Sequence, residues 1–282
     1  MFEESVRLAA SFCAGTLMSL MGSFIQLRSQ NILASTSTVG LDSLSVLWIL
    51  IFHSLTVILG MTVPFYGQLA LGIFIFVIFG IYIAKLTEKK FNLQKLLLLG
   101  LALNLFVGAL YSLWQFLFLA FNFDFPTELL FGHFRFVSLD ELFPVVVLLI
   151  LFFAGLKRYW RELEIFSTGP EITRLAGINH QKMSRFFLVL SSVTIFLLVF
   201  LFGGFAFLGL VLPILSRGLW FRRFGLKGEF VLGGAINGVM FMLTDLICYS
   251  LPIAGAEIPV GLLSGVVGSL GLILILRKTH VW

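Results

Sequence analysis

Apolar residues run through this chain in blocks of roughly twenty, separated by short polar gaps. A helix crossing the hydrocarbon of a bilayer needs ~20 mostly apolar residues. Nine stretches meet or approach that length: 5–27, 40–60, 66–86, 94–121, 141–157, 185–203, 205–218, 229–251 and 260–277. The seventh is short for a full span and follows Gly203-Gly204 directly. It is expected as a tilted or half helix packed inside the protein, where other helices or water satisfy its irregular backbone. The pattern predicts an all-α polytopic membrane protein with about nine transmembrane helices. It forms a single transmembrane domain over 1–282, with one long polar gap at about 158–184 and no soluble domain.

Composition agrees with the blocks. Hydrophobic residues make up 59% of the chain and charged residues 12%, and the mean hydropathy is +1.06. Soluble domains carry about 25% charged residues, so lipid must be the solvent for most of this surface. The net charge of +5 does not point to nucleic acid, because the basic residues lie in gaps between apolar blocks and form no basic domain. Cys13 and Cys248 sit inside apolar blocks and read as small buried hydrophobes. Glu3 and Glu4 precede a first block with a single arginine, which is not the positive n-region of a removable signal.

The basic residues orient the chain. With the 158–184 gap placed in the cytoplasm and the nine segments threaded alternately, all of the 19 lysines and arginines except Arg7 and Arg135 fall inside. Asp124, Glu128, Asp140, Glu141 and Glu257 fall outside. The N-terminus is therefore expected outside and the C-terminus inside. Gly234/Gly238, Gly261/Gly265 and Ser264/Gly268 are spaced for close helix contact in lipid, within one subunit or between two.

Several chemistries are missing from the sequence. It holds no GxxxxGK[ST] phosphate loop, no HExxH, no paired Cys/His metal spacing and no GxSxG elbow. His53, His133, His180 and His280 are scattered. No catalytic residue, metal site or cofactor is expected, and no convincing ionisable pair is expected at depth.

Three features remain. In the long gap, Ser167 or Thr168 can cap a short helix over 170–176, with Pro170 in its first turn, Glu171 at its positive end and Gly177 closing it left-handed. This is either an interfacial loop helix or a docking element for a soluble partner. On the fourth segment, Asn104, Gly108, Tyr111 and Gln115 step by 4, 3 and 4 along one face. That stripe either joins helices or lines a water-accessible path. A weaker stripe, Asn237, Phe241, Thr244 and Cys248, has Asp245 beside it, expected as a boundary or capping carboxylate.

Four segments carry a resemblance. Asn31-Ile-Leu-Ala-Ser-Thr-Ser-Thr-Val-Gly40 is similar to Asn-Pro-Leu-Ala-x-Pro-x-x-Leu-Gly, with Ile32 and Thr36 in place of the prolines. Gly169 to Ile178 is similar to Gly-x-x-x-Ala-x-x-Leu-Gly-Val, with Thr173 and Ala176 substituted. Gly203 to Arg217 is similar to Gly-Pro-Ile-Gly-Phe-Val-Gly-Leu-Val-Val-Pro-His-x-x-Arg; Phe207, Gly209, Leu210, Val211, Pro213 and Arg217 agree, while Gly204, Ala206 and Ile214 replace proline, glycine and histidine. Glu257-Ile-Pro-Val-Gly261 is similar to Glu-Leu-Pro-Val-Gly. In this order the motifs resemble the permease subunits of binding-protein-dependent ABC importers for iron chelates, haem and cobalamin. That family usually has ten helices, and this chain starts at the equivalent of the second, so the resemblance implies a divergent member lacking the first helix.

The resemblance further implies a multi-pass protein of the bacterial inner membrane, paired with an identical or similar permease. A cytoplasmic ABC ATPase would bind ATP for it, and an extracytoplasmic substrate-binding protein would deliver the ligand. Gly169, Pro170, Glu171, Arg174, Gly177 and Asn179, with His180, then become the ATPase-coupling segment. Asn104, Tyr111 and Gln115 become path lining. Gly203, Gly209, Pro213, Arg217, Glu257, Pro259 and Gly261 become signature positions, and Arg135 a contact for the binding protein. Two alternatives are a zinc/manganese importer permease, which tends to carry histidines and acids inside its helices, and a polytopic membrane enzyme or assembly factor, which needs a cluster of buried reactive groups.

Overall fold

A computed structural model describes residues 2–60, 64–88, 93–121, 123, 131–135, 137–169, 173, 175–177, 180–205, 208–216, 222–252 and 257–278. The elements are α1 (Phe2–Ser29), α2 (Leu41–Leu59), α3 (Phe65–Glu88), α4 (Leu93–Ala120), α5 (Leu139–Ser167), α6 (His180–Phe202), α7 (Leu208–Ser216), α8 (Arg222–Lys227), a π-turn (Gly228–Leu232), α9 (Gly233–Ser250) and α10 (Val260–Lys278). The described residues form no strand. Among the described residues, seven helical stretches are long and apolar enough to cross a membrane. The seventh apolar block folds as the 9-residue α7, short as expected.

α1 is the hub. Its packing surface is built from small residues, and Ala10, Ser11, Ala14, Ser19 and Ser23 are all buried. Lipid offers little hydrophobic force between helices, so close backbone approach supplies the attraction. A Cβ added at Gly15 would stand 2.5 Å from the Cβ of Phe241, and one at Gly238 would meet the Phe12 carbonyl at 2.9 Å. α1 and α9 therefore pack through glycines on both sides, which places Gly234 and Gly238 in contact within the subunit. α3 and α6 pair in the same way, with Gly80 against Val189 and Gly72 against the ring of Phe196.

Contacts along the helices give their relative directions. α1 meets α9 at both Ser19–Asn237 and Arg7–Asp245, so those two are antiparallel. α2 meets α4 at Ser43–Asn104 and at His53–Phe118, so those two are parallel. Both relations agree with the alternate threading.

Two expectations about element boundaries are corrected. α5 does not stop near Lys157 but runs to Ser167, with a break in helical geometry at Tyr159 (φ −109°, ψ 19°). Leu156, Leu163 and Phe166 are buried at helical spacing, so the polar gap hides an amphipathic extension. Ser167 consequently lies in the last turn of α5 rather than at the start of a new helix. α6 begins at His180, five residues earlier than the apolar block.

Candidate functional site

The signature glycines meet at a break between helices. α6 ends at Phe202, and Gly203 takes a left-handed φ of 86°. There the helix leaves carbonyls without intrahelical partners. The loop before α5 supplies donors: His133 N–H bonds the Phe202 carbonyl at 2.8 Å and Gly132 N–H bonds the Gly204 carbonyl at 2.7 Å. Gly261, at the start of α10, closes the set by donating to the Gly132 carbonyl at 3.0 Å. Three distant segments thus share one backbone junction. A Cβ at Gly261 would lie 2.5 Å from the Gly204 oxygen and 2.6 Å from the Gly132 nitrogen, so only glycine allows this approach. Phe134 seals the junction, its ring 4.8 Å from Phe202, 5.4 Å from Phe205 and 5.7 Å from Phe241.

α7 is clamped beside this junction. Gln26 Nε2 donates to the Leu210 carbonyl at 3.1 Å. Asn237 Nδ2 donates to the Leu212 carbonyl at 2.9 Å and to Ser19 Oγ at 2.7 Å. Gly209 lies against Gly22, and Pro213 Cγ would stand 2.5 Å from a Cβ at Gly22. Gly209 and Pro213 are therefore brought against α1, while Gly203 and Gly261 belong to the backbone junction. Arg217 lies outside the described residues.

The connector 30–40 folds inward, and Ala34, Ser35 and Thr36 are buried. Irregular backbone at depth needs internal partners, and side chains provide them. Asn31 Oδ1 accepts from Leu33 N–H at 2.9 Å, Thr38 Oγ1 accepts from Ser35 N–H at 2.6 Å, and Ser37 Oγ donates to Asp42. Asn104 Nδ2 donates to the Ser37 carbonyl at 2.7 Å, and Ser43 Oγ donates to Asn104 Oδ1. Asn104 thus ties α4 to this connector and to α2. Tyr111 is buried, Gln115 is half-buried, and between them and Asn104 a Cβ at Gly108 would meet nothing within 4 Å.

At the opposite end of α1 from Arg7, about 32 Å away by helical rise, lies the segment around 158–184. Trp160 Nε1 donates to Glu164 at 2.6 Å, and Lys227 Nζ sits 5.7 Å from the centre of the Trp160 ring. Arg28 Nε donates to Ser184 Oγ at 2.9 Å, with its guanidinium 5.7 Å from the Phe166 ring. Gly169 (φ 121°) and Gly177 (φ 66°) are left-handed. Thr173 is buried, donating to the Gly169 carbonyl at 2.8 Å. Pro170, Glu171, Arg174 and Asn179 lie outside the described residues.

The ion cluster at the Arg7 end gives Asp245 a partner rather than a helix-capping role: its side chain is 0% exposed and receives Arg7 through Nη2 at 2.8 Å and Nε at 3.0 Å. Arg7 Nη1 also reaches Glu257 Oε2 at 3.4 Å, and the guanidinium lies 4.5 Å from the centre of the Tyr249 ring. Beside the cluster opens a cavity of about 670 Å³, lined among others by Glu3, Arg135, Ser138, Tyr249 and Glu257. Arg135 is exposed on its wall. Pro259 accepts from Leu262 and Leu263 N–H at 3.1 and 3.2 Å, starting α10. The signal for this cluster was available, since Arg7 and Arg135 are the two cations the charge count leaves outside, with Glu257 on the same side. Gly132 and Gln26 carried no local signal of their roles, whereas Asn237 stood on the weaker polar stripe. Among the described residues, no group of three or more His, Cys, Asp or Glu is arranged to hold a metal.

Known proteins resemble this chain over nearly its whole length. The FecCD transport family matches residues 5–278. The uncharacterized ABC transporter permease protein YvrB of Bacillus subtilis (strain 168) is 27% identical over 284 residues, covering 97% of this chain and 77% of that protein. The iron(3+)-hydroxamate import system permease protein FhuG of the same organism is 27% identical over 282 residues, covering 97% and 82%. The hemin transport system permease protein HmuU of Yersinia pestis is 28% identical over 285 residues, covering 93% and 78%. In fold, the chain is similar to a solved transporter assigned to the metal-chelate ABC type in an inward-facing conformation, with a TM-score of 0.74 and 22% identity over 97% of this chain and 85% of the other.

Proposed function

Because the chain belongs to the FecCD transport family, we propose that it is the membrane permease subunit of an ABC importer that carries an iron chelate across the bacterial inner membrane. The carrying observation is the family match from residue 5 to residue 278, which spans every element of the fold. The relatives are by name permeases for iron(3+)-hydroxamate, hemin and petrobactin, which supports a siderophore or haem complex as cargo; a cobalamin-type chelate belongs to the same size class.

The chain has no phosphate loop, so ATP is bound by a partner ATPase. The segment from Gly169 to Asn179 docks that partner, with Glu171 and Arg174 facing it. Two permease chains enclose the path, and α4 presents Tyr111 and Gln115 toward it. The exposed apolar faces of α4, where Leu105 is 69% and Phe116 67% exposed, suit lipid on one side and a second subunit on the other. ATP closes the ATPase pair, and its differential affinity for the two permease states shifts the path between outward and inward opening. Outside, Arg135 meets a carboxylate of the binding protein. The glycine junction lets α6, α7 and α10 share one fixed point about which such a shift can occur.

The test is co-purification. The chain alone should hydrolyse no ATP, and it should retain an ABC ATPase from cells expressing both. Deleting 168–178 should abolish that retention while the chain stays folded and membrane-inserted. Full retention after the deletion refutes the docking role of this segment.

A further inference from the structure

The Arg7 cluster is asymmetric. Toward Asp245, Arg7 makes close contacts through two nitrogens, at 2.8 and 3.0 Å, to a carboxylate that is 0% exposed. Toward Glu257 it makes a single 3.4 Å contact to a side chain that is 30% exposed. The two arms differ in what happens when they break. Separating Arg7 from Asp245 strands a buried carboxylate, which is strongly unfavourable. Separating Arg7 from Glu257 strands nothing: Asp245 still neutralises Arg7, Tyr249 still stacks on it, and Glu257 turns to water. Losing a part-exposed ion pair changes an equilibrium only slightly.

Position gives this asymmetry a use. Arg7 lies on α1 and Asp245 on α9, two helices locked by the glycine contacts described above. Glu257 lies on the connector that enters α10, four residues before the backbone junction at Gly261. Ile258, next to Glu257, packs on the core. The adjoining cavity, bordered by Arg7, Tyr249 and Glu257, gives the released connector room to move.

We propose that Arg7 is a positioning residue whose pair with Asp245 is a fixed anchor and whose arm to Glu257 is a latch, holding the α10 connector against α1 and α9 in one state of the transport cycle and releasing it in another. The cycle rests on the importer reading; the latch itself does not. Losing the arm leaves the bundle folded and loosens only the connector, so stability and connector exposure respond differently.

The experiment places a reporter cysteine at Ile258 in a background with Cys13→Ala and Cys248→Ala, and follows its labelling by an impermeant maleimide in detergent. Val260→Cys, at a buried position two residues on, serves as a second reporter if Ile258→Cys does not fold. In the isolated chain, Glu257→Gln should raise the labelling rate about two- to fivefold, the range that losing a part-exposed ion pair gives an opening equilibrium, with no change in the thermal midpoint. Asp245→Asn should lower the midpoint as well. Unchanged labelling in a folded Glu257→Gln chain overturns the latch, and this arm needs neither ATPase nor substrate. In the complex with its ATPase, trapping with ATP and vanadate should change labelling of the chain with Glu257 intact and leave the Glu257→Gln chain unchanged. Labelling that is identical in all nucleotide states of a complex that hydrolyses ATP also overturns it, whereas failure to recover any ATPase counts against the importer reading alone.

Discussion

Gly261→Ala is the sharpest test of the backbone junction. The added methyl would lie 2.5 Å from the Gly204 carbonyl oxygen and 2.6 Å from the Gly132 nitrogen. Neither neighbour is a flexible side-chain end, so backbone must move. Overpacking of this kind costs about 1–3 kcal/mol. The movement also weakens the bonds from Gly261 to Gly132 and from Gly132 to Gly204, at 3.0 and 2.7 Å, each contributing about 0.5–1.5 kcal/mol. The expected loss is about 2–4 kcal/mol, read from SDS or thermal unfolding of the purified chain in detergent through tryptophan fluorescence. Leu262→Ala, at the adjacent and exposed position, should stay within about 0.5 kcal/mol of the parent chain. A Gly261→Ala chain as stable as that control would refute the close approach, and with it the junction as the point where α6, α7 and α10 meet.

The remaining predictions use the same unfolding measurement. Gly108→Ala should stabilise the isolated chain by up to about 1 kcal/mol, because nothing lies within 4 Å of the new methyl and alanine is the better helix former; a loss would show an unseen neighbour. Phe134→Ala should cost about 3–5 kcal/mol, since the ring is fully buried among Phe202, Phe205 and Phe241. Asn237→Ala removes two bonds, to Ser19 and to the Leu212 carbonyl, and should cost about 1–2 kcal/mol. Asp245→Asn should cost about 3–5 kcal/mol, and combining Arg7→Met with Asp245→Leu should recover most of it, because an apolar pair replaces the ions without a stranded charge.

The sequence by itself determined the all-helical membrane class, the order and approximate limits of the apolar blocks, and α7 as a short helix. It did so because lipid leaves a spanning backbone only its own hydrogen bonds, so length and apolarity over ~20 residues suffice without knowledge of neighbours. The family motifs were legible for a related reason: Gly203, Gly209, Pro213 and Gly261 mark places where backbone conformation or close approach restricts the residue type. The extension of α5 through Phe166 was present as a periodic face but was masked by the charges at Lys157, Arg158 and Arg161. Pairings were decided only by the tertiary structure. Arg7 and Asp245 stand 238 residues apart, and the junction joins Gly132, Gly204 and Gly261 from three separate connections. Asn104 likewise finds its partners Ser43 and Ser37 in a distant segment, 61 and 67 residues away. Helices in lipid choose partners by the summed fit of small surfaces and by where buried polar groups find complements, and that sum depends on residues far apart in the chain.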